Sequence, residues 1–243
     1  MNIVMPAAGR GQRFVDAGFK DAKPFIKVCG VPMIKMVFDN MGLNERNDNV
    51  FMIFNKEHFL KHQKELGELP TNCLISVLNE VTQGATCTVL TLKEFINNDE
   101  PLLIMNCDQH ILFDKDVFWK TLEMNGLDGT IMVFDELSLN PKWSFAKVNS
   151  VGLVNEVAEK KPISSLATVG VYYFSKGCDF VKYAEQMIAN NTRVNNEFYN
   201  CPVYNEMIND GKKIGVFKVA KMQGLGTPED LKVFEANNCE VKK

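Results

Sequence analysis

Short, largely apolar runs at residues 2–5, 50–54, 73–77, 101–105, 130–134, 167–174 and 213–219 predict strands, each closed by glycine, proline or polar residues. The run at 101–105 has no polar alternation, the pattern of a central parallel strand buried on both faces. Residues 143–148 and 152–159 read as two further strands around the turn at Asn149 to Gly152. Between the runs the spacing changes. Ile34, Val37, Phe38 and Met41 recur at helical period after Pro32 and stop near Gly42, and Val89, Leu92 and Ile96 repeat the pattern after a polar loop. Further helices are expected from about Asp114 and over 177–188 and 202–209. A terminal helix over 227–235 has Thr227 at its N-cap and Pro228 and Asp230 in its first turn. Residues 56–68 read as a charged surface helix whose His58 and His62 share one face. Phe59 stands where a zinc-protease helix carries glutamate, so solvated histidines are expected rather than a metal pair.

A chain of 243 residues with 46% hydrophobic content can bury a large core, and a single domain over 1–243 is expected. The net charge of −3 gives no basic field for a nucleic-acid backbone or an anionic membrane. No apolar run approaches the roughly 20 residues of a membrane helix, and the start lacks the length of a secretory signal. Seven cysteines, odd in number and without a C-x-x-C pair, are expected as free thiols in a reducing cytoplasm.

The first strand empties into Pro6-Ala7-Ala8-Gly9-Arg10-Gly11, followed by Arg13 and by Lys23-Pro24. The small side chains of Ala7, Ala8, Gly9 and Gly11 leave backbone N–H groups open, and Arg10, Arg13 and Lys23 add charges suited to phosphate oxygens. An ordinary glycine turn would explain the loop alone. It is neither a dinucleotide fingerprint, since Phe14 replaces a required glycine, nor a P-loop, since Gly-Lys-Ser/Thr is absent. Asp108 follows the buried run at 101–105, and the carboxyl end of such a strand is where open α/β sheets bind ligands. It is the expected ligand for magnesium, which binds through one or two carboxylates plus substrate phosphates. A helix cap is the competing role for Asp108, but Asp114 is better placed for that. Gly170 leaves room for close approach within a strand. Asn195, Asn196 and Glu197 suit sugar hydroxyls and equally a turn before a helix.

Ala-Ala-Gly-Arg-Gly-Gln-Arg followed by Lys-Pro resembles the signature of the sugar-phosphate nucleotidyltransferases, the nucleotidyltransferase branch of the GT-A-like enzymes. Asn106 to Gln109, Val157 to Pro162 and Gly224 to Asp230 extend the resemblance over nearly the whole chain, particularly to members from capsule and lipopolysaccharide gene sets. The resemblance implies a single-domain three-layer α/β/α Rossmann-like sandwich with a mixed, mostly parallel central sheet. It implies a metal-dependent reaction of a nucleoside triphosphate with a sugar 1-phosphate, or a similar phosphorylated polyol, giving a nucleotide-sugar and pyrophosphate. Arg13 and Lys23 would neutralise the triphosphate, Gln83 and Gly84 would contact the base, and Glu159 with Lys160 would face the sugar phosphate. Spacing does not decide between Lys160 and Lys161. Many thymidylyl- and uridylyltransferases of the family carry an aspartate just before the Gly-Thr pair as a second magnesium ligand. Here the position is Gly224, and Asp230, further along the helix, is not expected to replace it. A GT-A glycosyltransferase would call for Asp-x-Asp, whereas Asn106 lies two residues before Asp108. A non-catalytic nucleotide-binding protein is the third class. The base, the acceptor and the oligomeric state are not fixed by the sequence.

Overall fold

The computed structural model describes residues 1–70, 72–124 and 126–239. The expected domain over 1–243 includes residues 240–243, which lie outside the described residues. The strands are β1 (Asn2–Pro6), β2 (Lys27–Val28), β3 (Val31–Pro32), β4 (Asn49–Asn55), β5 (Cys73–Leu78), β6 (Leu102–Met105), β7 (Gln109–Leu112), β8 (Gly129–Asp135), β9 (Ser144–Val148), β10 (Val154–Glu159), β11 (Leu166–Phe174), β12 (Ile214–Lys218) and β13 (Lys221–Gly224). The helices are α1 (Gln12–Asp16), α2 (Met33–Asn40), α3 (Lys56–Lys61), α4 (Gln63–Leu66), α5 (Ala85–Leu90), α6 (Lys93–Ile96), α7 (Lys115–Met124), α8 (Gly177–Ala189), α9 (Val203–Asn209) and α10 (Pro228–Asn238).

A nine-stranded mixed sheet runs in the order β10-β9-β11-β6-β1-β4-β5, with β8 also paired to β11 and β12 to β8. Strands β6, β1, β4 and β5 are mutually parallel, and β11 joins them antiparallel to β6. Because successive side chains of a strand point to opposite faces, β1 and β6 each feed two cores. Ile3, Met5, Leu103 and Met105 meet Val37 and Phe38 of α2 and Phe118 and Leu122 of α7. Val4, Leu102 and Ile104 meet Val89, Ile96, Phe180 and Tyr183 on the other side. Burial on both faces is why these strands are apolar throughout, and it produces the expected three layers. A smaller third core packs Phe14, Ile26 and Val28 against Leu225, Leu231 and Phe234, tying the segment after the first loop to the end of the chain. Among the described residues no helix is long and apolar enough to cross a membrane.

Two expectations are corrected. The charged segment at 56–68 breaks at His62 into α3 and α4, and neither histidine is solvated. His62 is 3% exposed and stacks on Phe25 at 4.1 Å between ring centroids. His58 is buried beside Asn55, whose side chain caps α3, and burial holds it below the ordinary histidine range. Both rings serve as packing surface. The cysteines are not all free: Cys29, in the β2–β3 turn, is bonded to Cys239 at the end of α10, across a separation of 210 residues. The third core brings these ends together, which no local spacing reports.

Candidate active site

Strands β1 and β6 lie side by side and in parallel, so the segments leaving their carboxyl ends emerge together. The first is the glycine loop at 7–11. Its Ala7 and Ala8 are 3% and 4% exposed and belong to the two opposite cores, which holds the loop close against the sheet. Gly11 adopts the left-handed conformation (φ 63°) and heads α1, and an added Cβ there would lie 3.1 Å from the Cβ of Lys23. The backbone at Lys23 is thereby brought against the loop.

The second segment, 106–108, carries Asp108. The Asn106 N–H donates to the carbonyl of Gly170, and the Leu225 N–H donates to the carbonyl of Asp108. This latter bond follows from the pairing of β13 with β7, which lays Gly224 beside Gln109. Gly226 then faces the aspartate: a Cβ on it would come 2.9 Å from Asp108 Oδ2. That oxygen accepts from Lys23 Nζ at 2.8 Å, with the two side chains 22% and 24% exposed. Burial opposes the Lys23 ammonium, but the charge of Asp108 and the hydrogen bond outweigh it and hold the lysine above its ordinary range. Cys107, 3% exposed, has its thiol pushed up to about 11 by burial and remains a packing residue.

Two cavities meet at Lys23. One, of about 630 Å³, is lined by residues 6–12 with Lys23, Thr82, Gly84 and Glu197. Of the residues expected at a nucleotide, it gathers Ala7, Ala8, Gly9, Arg10, Gly11 and Gly84. The other, of about 290 Å³, is lined by Arg13, Lys23, Asp108, Glu159, Lys160 and Gly170, together with Trp143, Tyr172, Tyr199 and Asp230. Lys160 is the inward-facing lysine of its pair: Nζ donates to Tyr199 Oη at 2.5 Å and sits 4.5 Å from the ring centroid, while Lys161 is exposed. Burial raises the Glu159 carboxyl above its usual range, against the opposing hydrogen bond from Ser144 and the charge of Lys160. Tyr199 is raised as well, first by burial and then by Glu197.

Gln83 and Asn195 line neither of these two cavities. The Gln83 amide oxygen accepts from Arg193, whose guanidinium lies 4.0 Å over Phe198. Asn195 sits at positive φ (49°) in the turn closed by Val194 and Glu197. Gly84 has a packing reason of its own: at φ 133° it lies against the backbone of Phe198, and a Cβ would fall 2.5 Å from that residue's N and O atoms.

Trp143, Tyr199 and Asp230 were not legible as site residues. Asp230 is the informative one. A Cβ at Gly224 would come 3.0 Å from the Trp143 ring and 3.5 Å from Asp230 Oδ2. The space beside residue 224 is thus filled by an indole and a carboxylate from elsewhere, and Asp230 pairs with Lys142 at 2.9 Å. The acidic first turn of α10, next to the Gly-Thr pair, was the available signal.

A nucleotidyl transferase family model matches residues 1–238. The chain is 26% identical over 177 residues to the bifunctional protein GlmU of Methanococcus aeolicus; the match takes in 72% of this chain and 40% of that protein's length. Its fold is similar to that of a nucleoside-diphosphate-sugar pyrophosphorylase from Vibrio cholerae RC9 (TM-score 0.80, 23% identity, 96% of this chain and 99% of that one). It is also similar to an inositol-1-phosphate CTP transferase from T. maritima (TM-score 0.74, 15% identity, 96% and 93%). With a glycine loop and an aspartate converging at the ends of parallel strands, and a family match over nearly its full length, the chain belongs to the nucleotidyl transferase family.

Proposed function

We propose that this protein joins a nucleoside triphosphate to a sugar 1-phosphate or a similar phosphorylated polyol, releasing pyrophosphate, as a step toward surface polysaccharide. The observation that carries the reading is the shared wall: Lys23 lines both the glycine-loop cavity and the cavity of Asp108, Glu159 and Lys160. A triphosphate in the first and an acceptor phosphate in the second would meet at that lysine. The acceptor's phosphate oxygen attacks the α-phosphorus, the bond from that phosphorus to the bridging oxygen breaks, and pyrophosphate leaves with the electron pair. A phosphomonoester is largely ionised at neutral pH, since its second pKa is about 6, so no general base is required. The task left to the protein is to hold two polyanions in line and offset their repulsion. Arg13, Lys23 and Lys160 supply positive charge along the path. Glu159, Ser144 and Tyr199 suit the acceptor's hydroxyls.

The donor set fits magnesium. Asp108 offers hard carboxylate oxygens in the cavity that Lys23 shares with the glycine loop, and Gly226, having no side chain, does not crowd Oδ2. Among the described residues no group of three or more metal-ligating side chains exists, so a divalent cation on Asp108 would complete its shell with substrate phosphates and water. When bound, the ion would supply charge stabilisation at the phosphates. The test is a pyrophosphate-release screen of CTP, UTP, dTTP and GTP against phosphorylated sugars and polyols, including inositol 1-phosphate, with magnesium. One pair is expected to turn over well above the rest. Nucleotide binding without pyrophosphate release from any pair would reject the reading.

A further inference from the structure

Asp108 faces the cavity already neutralised. Its Oδ2 holds Lys23 Nζ at 2.8 Å, and both groups are three-quarters or more withdrawn from solvent. A single carboxylate is a weak site for a divalent cation without phosphates to complete the shell, and this one is weaker still, since an incoming ion meets an ammonium on the same oxygen. Lys23 has a second place to go. Its backbone lies against Gly11 and opens the 3₁₀ turn Lys23–Phe25, while its side chain borders the glycine-loop cavity as well as the Asp108 cavity. A lysine stem is long and flexible, so the ammonium can change partner with little backbone cost. The carbonyl of Asp108 is tied to the Leu225 N–H, so its short side chain keeps the carboxylate within a small range of that backbone, and the longer lysine is the member with the wider reach.

We propose that Lys23 is the internal counter-ion of Asp108, a cation that the phosphates of an incoming nucleotide draw off, so that Asp108 accepts a divalent metal only together with triphosphate. The inference rests on the reading of Asp108 as the metal ligand and of the glycine-loop cavity as the phosphate site. It assigns Lys23 two partners in sequence, the aspartate in the empty enzyme and the phosphates in the loaded one. Metal and nucleotide then enter as one complex, and free metal does not occupy the cleft.

The test measures Mn²⁺ binding to the full-length protein by electron paramagnetic resonance, without nucleotide. Wild type is expected to bind weakly, and Lys23→Met at least about 10-fold more tightly. The gain is expected to vanish in Lys23→Met/Asp108→Asn. Lys23→Arg, which keeps a cation on the carboxylate, is expected to stay as weak as wild type, and this separates the charge from any loss of folding. In EDTA, Lys23→Met is expected to bind metal-free CTP and UTP more weakly than wild type, reporting the second partner. Unchanged Mn²⁺ affinity in Lys23→Met, a gain that persists without Asp108, or undiminished nucleotide affinity in EDTA would each overturn the proposal. Pyrophosphate release is scored separately. Turnover by wild type with no Mn²⁺ gain in Lys23→Met rejects the counter-ion alone, whereas the gain without turnover of any substrate pair rejects the catalytic reading alone.

Discussion

Gly226→Ala isolates the position of the Asp108 carboxylate. The backbone at 226 is outside the left-handed region, so alanine fits it without strain, and on backbone entropy alone the change favours folding by about 0.4–1 kcal/mol. The new methyl carbon would stand 2.9 Å from Asp108 Oδ2 and 3.7 Å from Cγ. Ordinary contact lies a few tenths of an ångström further out, and the carbonyl of Asp108 is held to the Leu225 N–H at 2.8 Å. The carboxylate must therefore rotate rather than retreat with its backbone, and rotation loosens its 2.8 Å contact with Lys23. Misplacing a reacting group by about 1 Å costs on the order of 100-fold in rate. A shift of roughly half that is worth on the order of 10-fold, or about 1.4 kcal/mol in the barrier. The expected outcome is a fall in kcat/KM for pyrophosphate release of about 10-fold or more, with a Tm within a few degrees of wild type. Gly67→Ala is the control, because a Cβ there finds only contacts of 3.4 Å and longer on a surface turn. If Gly226→Ala retains full activity while folding normally, the placement of Asp108 does not govern catalysis.

Asp108→Asn is expected to lower turnover by about 100- to 1,000-fold, the usual cost of losing one electrostatic contact at a charged transition state; thermal melts should show a folded protein, and wild-type activity would remove Asp108 from the mechanism. Reducing the Cys29–Cys239 bond releases a closure of 210 residues and is expected to cost about 2–4 kcal/mol, or a Tm lower by roughly 4–16 °C at this size. Cys29→Ser should melt at the reduced value and ignore added reductant; identical melts with and without reductant, on protein whose intact mass shows the bond, would refute this. Glu159 has its folded pKa raised above about 4.5 by burial, so the folded state holds the proton more firmly than the unfolded chain. Stability should fall as pH climbs from about 4.5 through the folded value and then level off. Glu159→Gln, which cannot ionise, should therefore gain Tm over wild type across that rise, and a difference that stays constant from pH 4 to 8 would count against the assignment.

What the sequence disclosed, and what it withheld, divides by range. The apolar runs of β1, β4 and β6, the period of α2 and the Thr227 cap of α10 are each written in a few consecutive residues. The structure keeps them, including the acceptance of the Asp230 N–H by Thr227 at 3.1 Å. The loop at 7–11 was legible for the same reason, since its small residues follow a strand that must run into the crevice. The second half of the cleft depends on β7 and β13, strands of four residues each that exist only as a pair more than a hundred residues apart in the chain. Neither has enough alternation to announce itself. Yet their register determines that Gly224 lies beside Gln109, that Gly226 faces the Asp108 carboxylate, and that the first turn of α10 swings Asp230 into the cavity.

The same reasoning explains why Gly224 looked like a missing group and is instead a filled one. Gly224, the last residue of β13, and Gly226, in the bend beyond it, both line the Asp108 cavity. Their absent side chains leave openings toward Asp230 with Trp143 in one case and toward Asp108 in the other. Each carboxylate enters from a different part of the chain and carries its own lysine, Lys142 on Asp230 at 2.9 Å and Lys23 on Asp108 at 2.8 Å. On the proposed function the cleft receives polyanions, and two bare carboxylates in it would repel them. On that reading, balancing each with an ammonium keeps the empty cleft from presenting bare negative charge, and the pairing of Lys23 would be exchanged for phosphate when phosphate arrives. The charge available for binding would then depend on the partner Lys23 holds, which a count of acids and bases along the chain does not contain.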